Sequence, residues 1–523
     1  MSRNIIAAYT CLTVLLLCAI AFQAGAQQYH QAPLGVYAHV DLDNAIKAYK
    51  KYKRSKEFNG EDERTFLLNL YQGILANNPG VAGITFGIHW DRVQINDPDC
   101  ATNPNCPPGT DANGNDWTYL DDVFTQTKAA GKQVQLILTP GVDSPSWLFD
   151  RLRPSCDSLF GNADTGPVPN CGKVTFSKFP EAFRADGHIF PLPWNTTYQY
   201  WWQQFLSEVN DRYKNHQEFA AIAIAGPNGA STEMILPTDT NGSRQGPGWK
   251  ADAAWSVLIG NSFPLSTNEY QHSDDVFVTQ WETTIDTYEG IFKNVTLFLS
   301  PDSGDDFPEF NEKSITDPDW LFTADCSNAT DYPMSCKAKT DVLIYFLSTE
   351  AGRQLATQVG GMTASSARTP DDGDAGIGVG GVKVLTGPLS QSSPILGGAE
   401  FDFSVTTDDL ETREEQGCTH EERAANECTG ISPELAAYNT LRLFFYGTQF
   451  GQAYGWPGNT PPTGPMQWVE IDLSDIVWAQ TNGATPNNGT PCNQSLQDLI
   501  NGASWNLFTM AGQTPPVAPP SCN

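Results

Sequence analysis

Short continuous apolar runs alternate with longer amphipathic runs along this chain, and that alternation limits the available folds more than any other feature. The apolar runs are 34–41 (LGVYAHVD), 81–88 (VAGITFGI), 133–139 (QVQLILT), 219–226 (FAAIAIAG), 295–300 (VTLFLS), the Gly-rich 376–385, 394–403 (PILGGAEFDF) and 467–472 (QWVEID). Runs apolar at almost every position suit strands buried on both faces, as in a parallel sheet. Segments 65–76, 120–130, 198–213, 277–293, 341–359 and 433–447 carry apolar residues at i, i+3 and i+4, and 495–510 reads as a closing helix. No separable helix fits between the sixth and seventh runs. Eight strands with helices between nearly all of them in 523 residues predict an α/β chain folded as a (β/α)8 TIM barrel. A doubly wound open sheet is the alternative. It wants a Gly-rich phosphate loop after the first strand, where this chain has HVDLDNA.

The connections entering the strands are short, whereas those leaving them are long and rich in Gly, Pro, Asn and Asp. In a barrel all the long loops gather on the C-terminal face, where active sites are built. Cysteine placement follows the same asymmetry. Cys11 and Cys18 fall in an N-terminal leader. The other ten form sequence-local pairs: Cys100 and Cys106, Cys156 and Cys171, Cys326 and Cys336, Cys418 and Cys428, Cys492 and Cys522. Disulfides within or onto those long loops are expected, and they imply an oxidising compartment.

The leader, residues 1–26, has Arg3 as its basic start, an apolar stretch from Ile5 to Phe22 and a small-x-small cleavage site at Ala24-Gly25-Ala26. It reads as a secretory signal, which leaves 27–523 as a single domain located extracellularly or in a periplasm. No later run approaches the ~18 apolar residues of a membrane span. With 60 acidic and 30 basic residues the formal charge is −30, which argues against nucleic acid and anionic lipid as partners.

Residues at the carboxyl ends of barrel strands are the ones expected to carry chemistry. The fourth run continues into AGPNGASTEMILP, with Glu233 seven positions beyond it; the seventh contains Glu400, followed by Asp402 on the same side. Strands four and seven face each other across a barrel mouth. Two carboxylates so placed suit a glycosidic bond, one protonating the departing oxygen and the other attacking the anomeric carbon or activating water. Glu470, Asp472 and Asp302 are reserve candidates.

On these residues the chain resembles the secreted (β/α)8 glycoside hydrolases of clan A. Segments HWDRV after the second strand and TPGVDSPSWL after the third are similar to stretches of that family. The resemblance implies Glu233 as acid/base and Glu400 as nucleophile. The family sets an asparagine directly before its acid/base; Thr232 stands there in this chain, and Asn228 is the candidate to serve instead. The segment GPNGASTEMILP is also similar to the strand-four motif of β-amylases, which invert configuration.

A carbohydrate cleft further needs aromatic faces and hydrogen-bonding groups. Trp90, Trp147 and Trp468 are expected to stack on sugar rings, with core packing as the alternative for each. His39, His89 and Asp91, with Asp402, are expected to bind hydroxyls. No G-x-S-x-G elbow, Walker loop, H-E-x-x-H or dinucleotide fingerprint occurs. Neither a cofactor nor a catalytic metal is expected, and the acidic turn 371–374 (DDGD) reads first as a solvated turn. An inverting hydrolase, a transglycosylase and a non-catalytic glycan-binding protein are the alternatives.

Overall fold

The computed structural model describes residues 30–31, 33–56, 58–98, 110–156, 171–176, 188–227, 258–259, 273–299, 342, 345, 362–363, 395–396, 398–401, 468–473, 476 and 495–519. The strands are β1 (Gly35–Asp41), β2 (Val81–His89), β3 (Gln133–Thr139), β4 (Lys173–Phe176), β5 (His188–Pro191), β6 (Phe219–Ala223), β7 (Thr296–Phe298), β8 (Met362–Thr363), β9 (Ile395–Leu396), β10 (Gly398–Phe401) and β11 (Trp468–Asp472). The helices are α1 (Leu42–Tyr52), α2 (Glu63–Asn77), α3 (Trp90–Val93), α4 (Thr118–Ala130), α5 (Ser146–Arg151), α6 (Thr196–Tyr213), α7 (Ser273–Ile291) and α8 (Leu496–Met510).

Seven strands form one parallel sheet in the order β10-β11-β1-β2-β3-β6-β7. Among the described strands the last, β11, lies against the first, β1, and the order never reverses. A doubly wound sheet would reverse at a switch point, so that alternative is set aside. The sheet differs from expectation at its free edges. The expected seventh strand is split, with Ile395–Leu396 pairing with β8 and Gly398–Phe401 pairing with β11. The short β8 also packs near β7. No hydrogen-bonded ladder joins β7 to β10 among the described residues. The run 376–385, expected as the sixth strand, lies outside the described residues.

The continuous apolar runs resolve into two chemically different faces. Val36, Ala38 and Val40, Ile84, Phe86 and Ile88, and Val134, Leu136 and Leu138 are buried against the helices. Each Val, Ile, Leu or Phe side chain among them contributes ~1.5–3 kcal/mol by leaving water. The alternate positions carry Tyr37, Ile137, Ala221, Ala223, Phe298 and Trp468, packed as a separate cluster. On that same face lie the buried polar residues Thr85, Gln135 and Glu470. Gly83 is required there, because a Cβ would fall 2.2 Å from the Gln133 carbonyl oxygen and 2.7 Å from the Tyr37 ring.

Capping sets the helix starts. Asp41 ends β1 and accepts from the Asn44 amide at 2.8 Å, starting α1 at once. Asn195 caps α6, and Ser495 with Asp498 forms a capping box on α8. Gly131, at φ 65°, closes α4 in the left-handed conformation that favours glycine. No helix of the described residues is long and apolar enough to cross a membrane.

The long loop after β3 holds the hairpin β4–β5, tied to the segment that follows α5 by a Cys156–Cys171 disulfide. It is the single expected pair that falls among the described residues; Cys100, Cys106, Cys326, Cys336, Cys418, Cys428, Cys492 and Cys522 lie outside them. The bond spans 15 residues, for which chain entropy gives about 3 kcal/mol of stabilisation. Replacing both cysteines with serine is expected to lower the urea midpoint and to raise the m-value slightly, because the unfolded chain is no longer cross-linked, measured by circular dichroism.

The loop after β2 is pinned to α6. Asp111 accepts from the Asn115 amide at 3.0 Å and from the Trp117 indole at 2.7 Å, and Asn115 Nδ2 donates to Glu208 at 2.5 Å. Burial pushes the Glu208 carboxyl up to about 7, with the charges of Asp111 and Asp211 adding to it. The folded state therefore holds this proton over a pH range in which the unfolded chain has released it. Its stabilising contribution is complete below the ordinary carboxylate range and is lost as pH rises towards 7. Glu208→Gln is expected to flatten the decline in urea midpoint between pH 5 and pH 8. An unchanged decline in the variant would assign it to other groups.

Candidate functional site

The C-terminal ends of β1, β2 and β3 converge on a polar cluster. Asp41, as a cap, turns the chain into α1 and sets Asp43 in the first turn. His89 ends β2, and α3 follows without a break. Past β3 a short turn, Gly141–Asp143, brings in Asp143. His89 Nδ1 lies 3.3 Å from Asp43 Oδ2 and 3.4 Å from Asp143 Oδ1, and Arg92 Nη2 lies 2.7 Å from Asp43 Oδ1. The His89 and Asp43 side chains are 18% and 15% exposed, so the cluster sits largely out of water but within reach of a ligand.

His39 and Asp41 adjoin this cluster beside Gly87; a Cβ there would fall 3.5 Å from Asp41 Oδ2 and 3.7 Å from His39 Nε2. Asp91 lies half-buried in α3. Thr139 is paired in register with His89, and its buried hydroxyl has no hydrogen-bond partner among the described residues. Asp43, Asp143 and Thr139 were not among the residues singled out from sequence. The available signal was position alone, each lying within four residues of a strand's carboxyl end.

Deeper on the same face, Glu470 is 1% exposed and pairs in register with Tyr37 on one side and Glu400 on the other. Burial pushes the Tyr37 phenol above the usual range, and the Glu470 charge adds to the rise. Thr85 donates to Gln135 at 3.4 Å, and the Tyr37 hydroxyl donates to Gln133. For Glu400 the description is the backbone register. Glu233, Asn228 and Asp402 lie outside the described residues. The exit of β6, from which the Glu233 segment departs, is held by two buried donors. Tyr198 donates to the Gly226 carbonyl at 2.6 Å and Trp202 to the Ala225 carbonyl at 2.9 Å.

The tryptophans depart from expectation. Trp90 is fully buried among Trp202, Phe205 and Trp147, with ring centroids 5.1, 5.6 and 6.2 Å away, and packs rather than lining the mouth. Trp202 and Phe205 belong to α6, whose apolar face covers α3, and Trp147 belongs to α5. Trp147 is 9% exposed, and its indole donates to the Gln94 carbonyl at 3.3 Å. Trp468 is fully buried at the first position of β11, beside Phe298. That is the amino end of the strand, four residues from the carboxyl end at Asp472, or roughly 13 Å at strand rise. It therefore fills the interior at the end opposite the long loops. Among the described residues no three His, Cys, Asp or Glu side chains are grouped to hold a metal ion.

No family model matches the chain, and no curated protein matches it. Among solved structures it is similar to the catalytic domain of β-amylase from Paenibacillus polymyxa, with a TM-score of 0.39, 11% identity, and coverage of 92% of this chain and 100% of that one. It is also similar to a thermostable mutant of a xylanase from Cellvibrio japonicus, with a TM-score of 0.35, 8% identity and coverage of 84% and 86%. The catalytic domain of the major endoglucanase from Xanthomonas campestris pv. campestris gives a TM-score of 0.31, 10% identity and coverage of 91% and 95%.

Proposed function

We propose that the chain is a secreted, single-domain (β/α)8 glycosidase that cuts the O-glycosidic bonds of a poly- or oligosaccharide with retention of configuration. The observation that carries this reading is the strand order. β11 returns to β1, and the strand bearing Glu400 stands beside β11 in that same parallel sheet. Curling such a sheet into a cylinder sets the exits of β6 and β10 on opposite sides of one mouth. Glu233 follows β6 and Glu400 belongs to β10.

In this mechanism Glu233 protonates the glycosidic oxygen while Glu400 attacks the anomeric carbon. The bond to the leaving sugar breaks and a glycosyl ester forms on Glu400. Glu233, now a carboxylate, takes a proton from water, which displaces Glu400 and releases a sugar of the original configuration. His89, held by Asp43 and Asp143, and the neighbouring His39, Asp41, Asp91 and Thr139 supply hydrogen bonds to sugar hydroxyls. The signal-like leader and the Cys156–Cys171 disulfide support export to an oxidising compartment.

The test is incubation with starch, xylan, mixed-linkage β-glucan and galactomannan, following reducing ends and the first-formed anomer by proton NMR. Release from at least one polymer with the starting configuration is expected. First-formed anomers of opposite configuration would replace the double displacement by inversion. No release from any polymer, alongside saturable binding, would favour a non-catalytic glycan-binding protein.

A further inference from the structure

Ile95 and Tyr200, 43% and 52% exposed, are the exposed large hydrophobics among the described residues. Tyr200 and Trp201 lie in the second turn of α6 with ring centroids 5.0 Å apart, and Trp201 meets Trp147 at 5.5 Å. Arg151 lies over both indoles, 4.6 Å from the Trp201 centroid and 5.4 Å from that of Trp147. An ion pair of 2.5 Å with Asp97 holds the guanidinium in place. Ile95 joins this patch through the chain, between Gln94, whose carbonyl receives the Trp147 indole, and Asp97 two residues later. Trp201 reads from sequence as a packing residue. In the structure it is part-exposed, while its neighbour Trp202 is the buried one.

We infer that Tyr200 and Trp201, flanked by Ile95 and Arg151, form a platform that binds a polysaccharide chain outside the catalytic mouth. The inference rests on the carbohydrate reading above and adds a second site to it. Size favours a sugar. A protein interface of standard size buries about 1,600 Å² in total, whereas two exposed side chains match one or two pyranose rings. Chemistry favours it as well. A pyranose presents an apolar face edged by hydroxyls, and Tyr200 presents an exposed ring between Thr196 and Gln203, which are exposed on the same helix face. Arg151 stacked on Trp201 holds that indole before a ligand arrives, which lowers the entropy lost on binding. Placement agrees too. α6 begins at the end of the sheet where the β2 and β3 loops emerge, so a polymer bound there lies on the side of the mouth.

The experiment is affinity electrophoresis in native gels containing starch, xylan, mixed-linkage β-glucan or galactomannan. It compares the full chain, Tyr200→Ala, Trp201→Ala and Tyr200→Trp, each also in a Glu233→Gln background that leaves the polymer uncut. The unsubstituted chain is expected to be retarded by at least one polymer. Tyr200→Ala and Trp201→Ala are expected to weaken that retardation about three- to tenfold, the scale of one aromatic stacking contact, and Tyr200→Trp is expected to keep it. Circular dichroism melts matching wild type would show that Tyr200→Ala folds. Equal retardation of wild type and Tyr200→Ala, or no retardation by any polymer, would overturn the platform. So would a concentration-dependent dimer that Tyr200→Ala abolishes, since the patch would then join two copies. Tyr200-dependent retardation without hydrolysis would uphold the platform while removing the glycosidase reading.

Discussion

Glu233→Gln is expected to lower kcat on the polymer that wild type hydrolyses by about 10²–10⁴-fold, the scale of lost general-acid assistance. The loss should depend on the leaving group. A sugar alkoxide is a poor leaving group and needs the proton, whereas a dinitrophenolate departs without it. Glu233→Gln should therefore retain most of its glycosylation rate on a dinitrophenyl glycoside of the same sugar. Glu400→Ala removes the nucleophile, and no choice of leaving group restores the reaction. Added azide fills the space of the missing carboxylate and attacks in its place, so Glu400→Ala alone should yield a glycosyl azide of inverted configuration. The two variants thus separate the roles as well as the residues. Wild-type rates in both would sink the pairing. A leaving-group-dependent loss in Glu400 rather than in Glu233 would exchange their roles. Full activity in Glu400→Ala with loss in Glu470→Gln would move the nucleophile to the adjacent strand, where Glu470 stands abreast of Glu400.

The sheet was legible in the sequence because its outward face is uniformly apolar. Val36, Ala38, Val40, Ile84, Phe86 and Ile88 make two runs stand out whatever lies between them. The interior face was not legible. Tyr37, Thr85, Gln135 and Glu470 interrupt the apolar runs, and a one-dimensional pattern does not tell a polar residue buried on the sheet's second face from one facing solvent. Helix α1 was missed for a related reason. Asp41 ends a strand and caps a helix at once, so no turn residues separate the two periodicities. The His89–Asp43–Asp143 cluster joins three segments distant in sequence, and only the parallel register of β1, β2 and β3 brings them together. Trp90 and Trp468 show the limit most plainly. Both stand near strand ends, but the direction of the side chain decides between cleft and core.

Trp90→Ala is expected to destabilise the protein by about 3–5 kcal/mol, as for other fully buried aromatic truncations. The substitution opens a cavity between Trp202 and Phe205 of α6 and removes the donor that Gln94 Oε1 receives at 2.9 Å. Gln94 also donates to the Asn113 carbonyl at 3.3 Å, and its own carbonyl receives the Trp147 indole. The loss should therefore spread into the β2 loop and loosen Trp147. Trp90→Phe keeps most of the packing volume but not the hydrogen bond, so its cost should be clearly smaller. A urea titration at constant m-value measures both. The contrasting expectation, that Trp90 stacks on substrate, makes the opposite kinetic claim: Trp90→Phe would raise KM while leaving the urea midpoint nearly intact. A core role gives the reverse, a lowered midpoint with KM for a short oligosaccharide unchanged. Because the side chain is fully buried behind α6, a ligand could reach it only after that helix had moved, and the energy of doing so would already appear as instability.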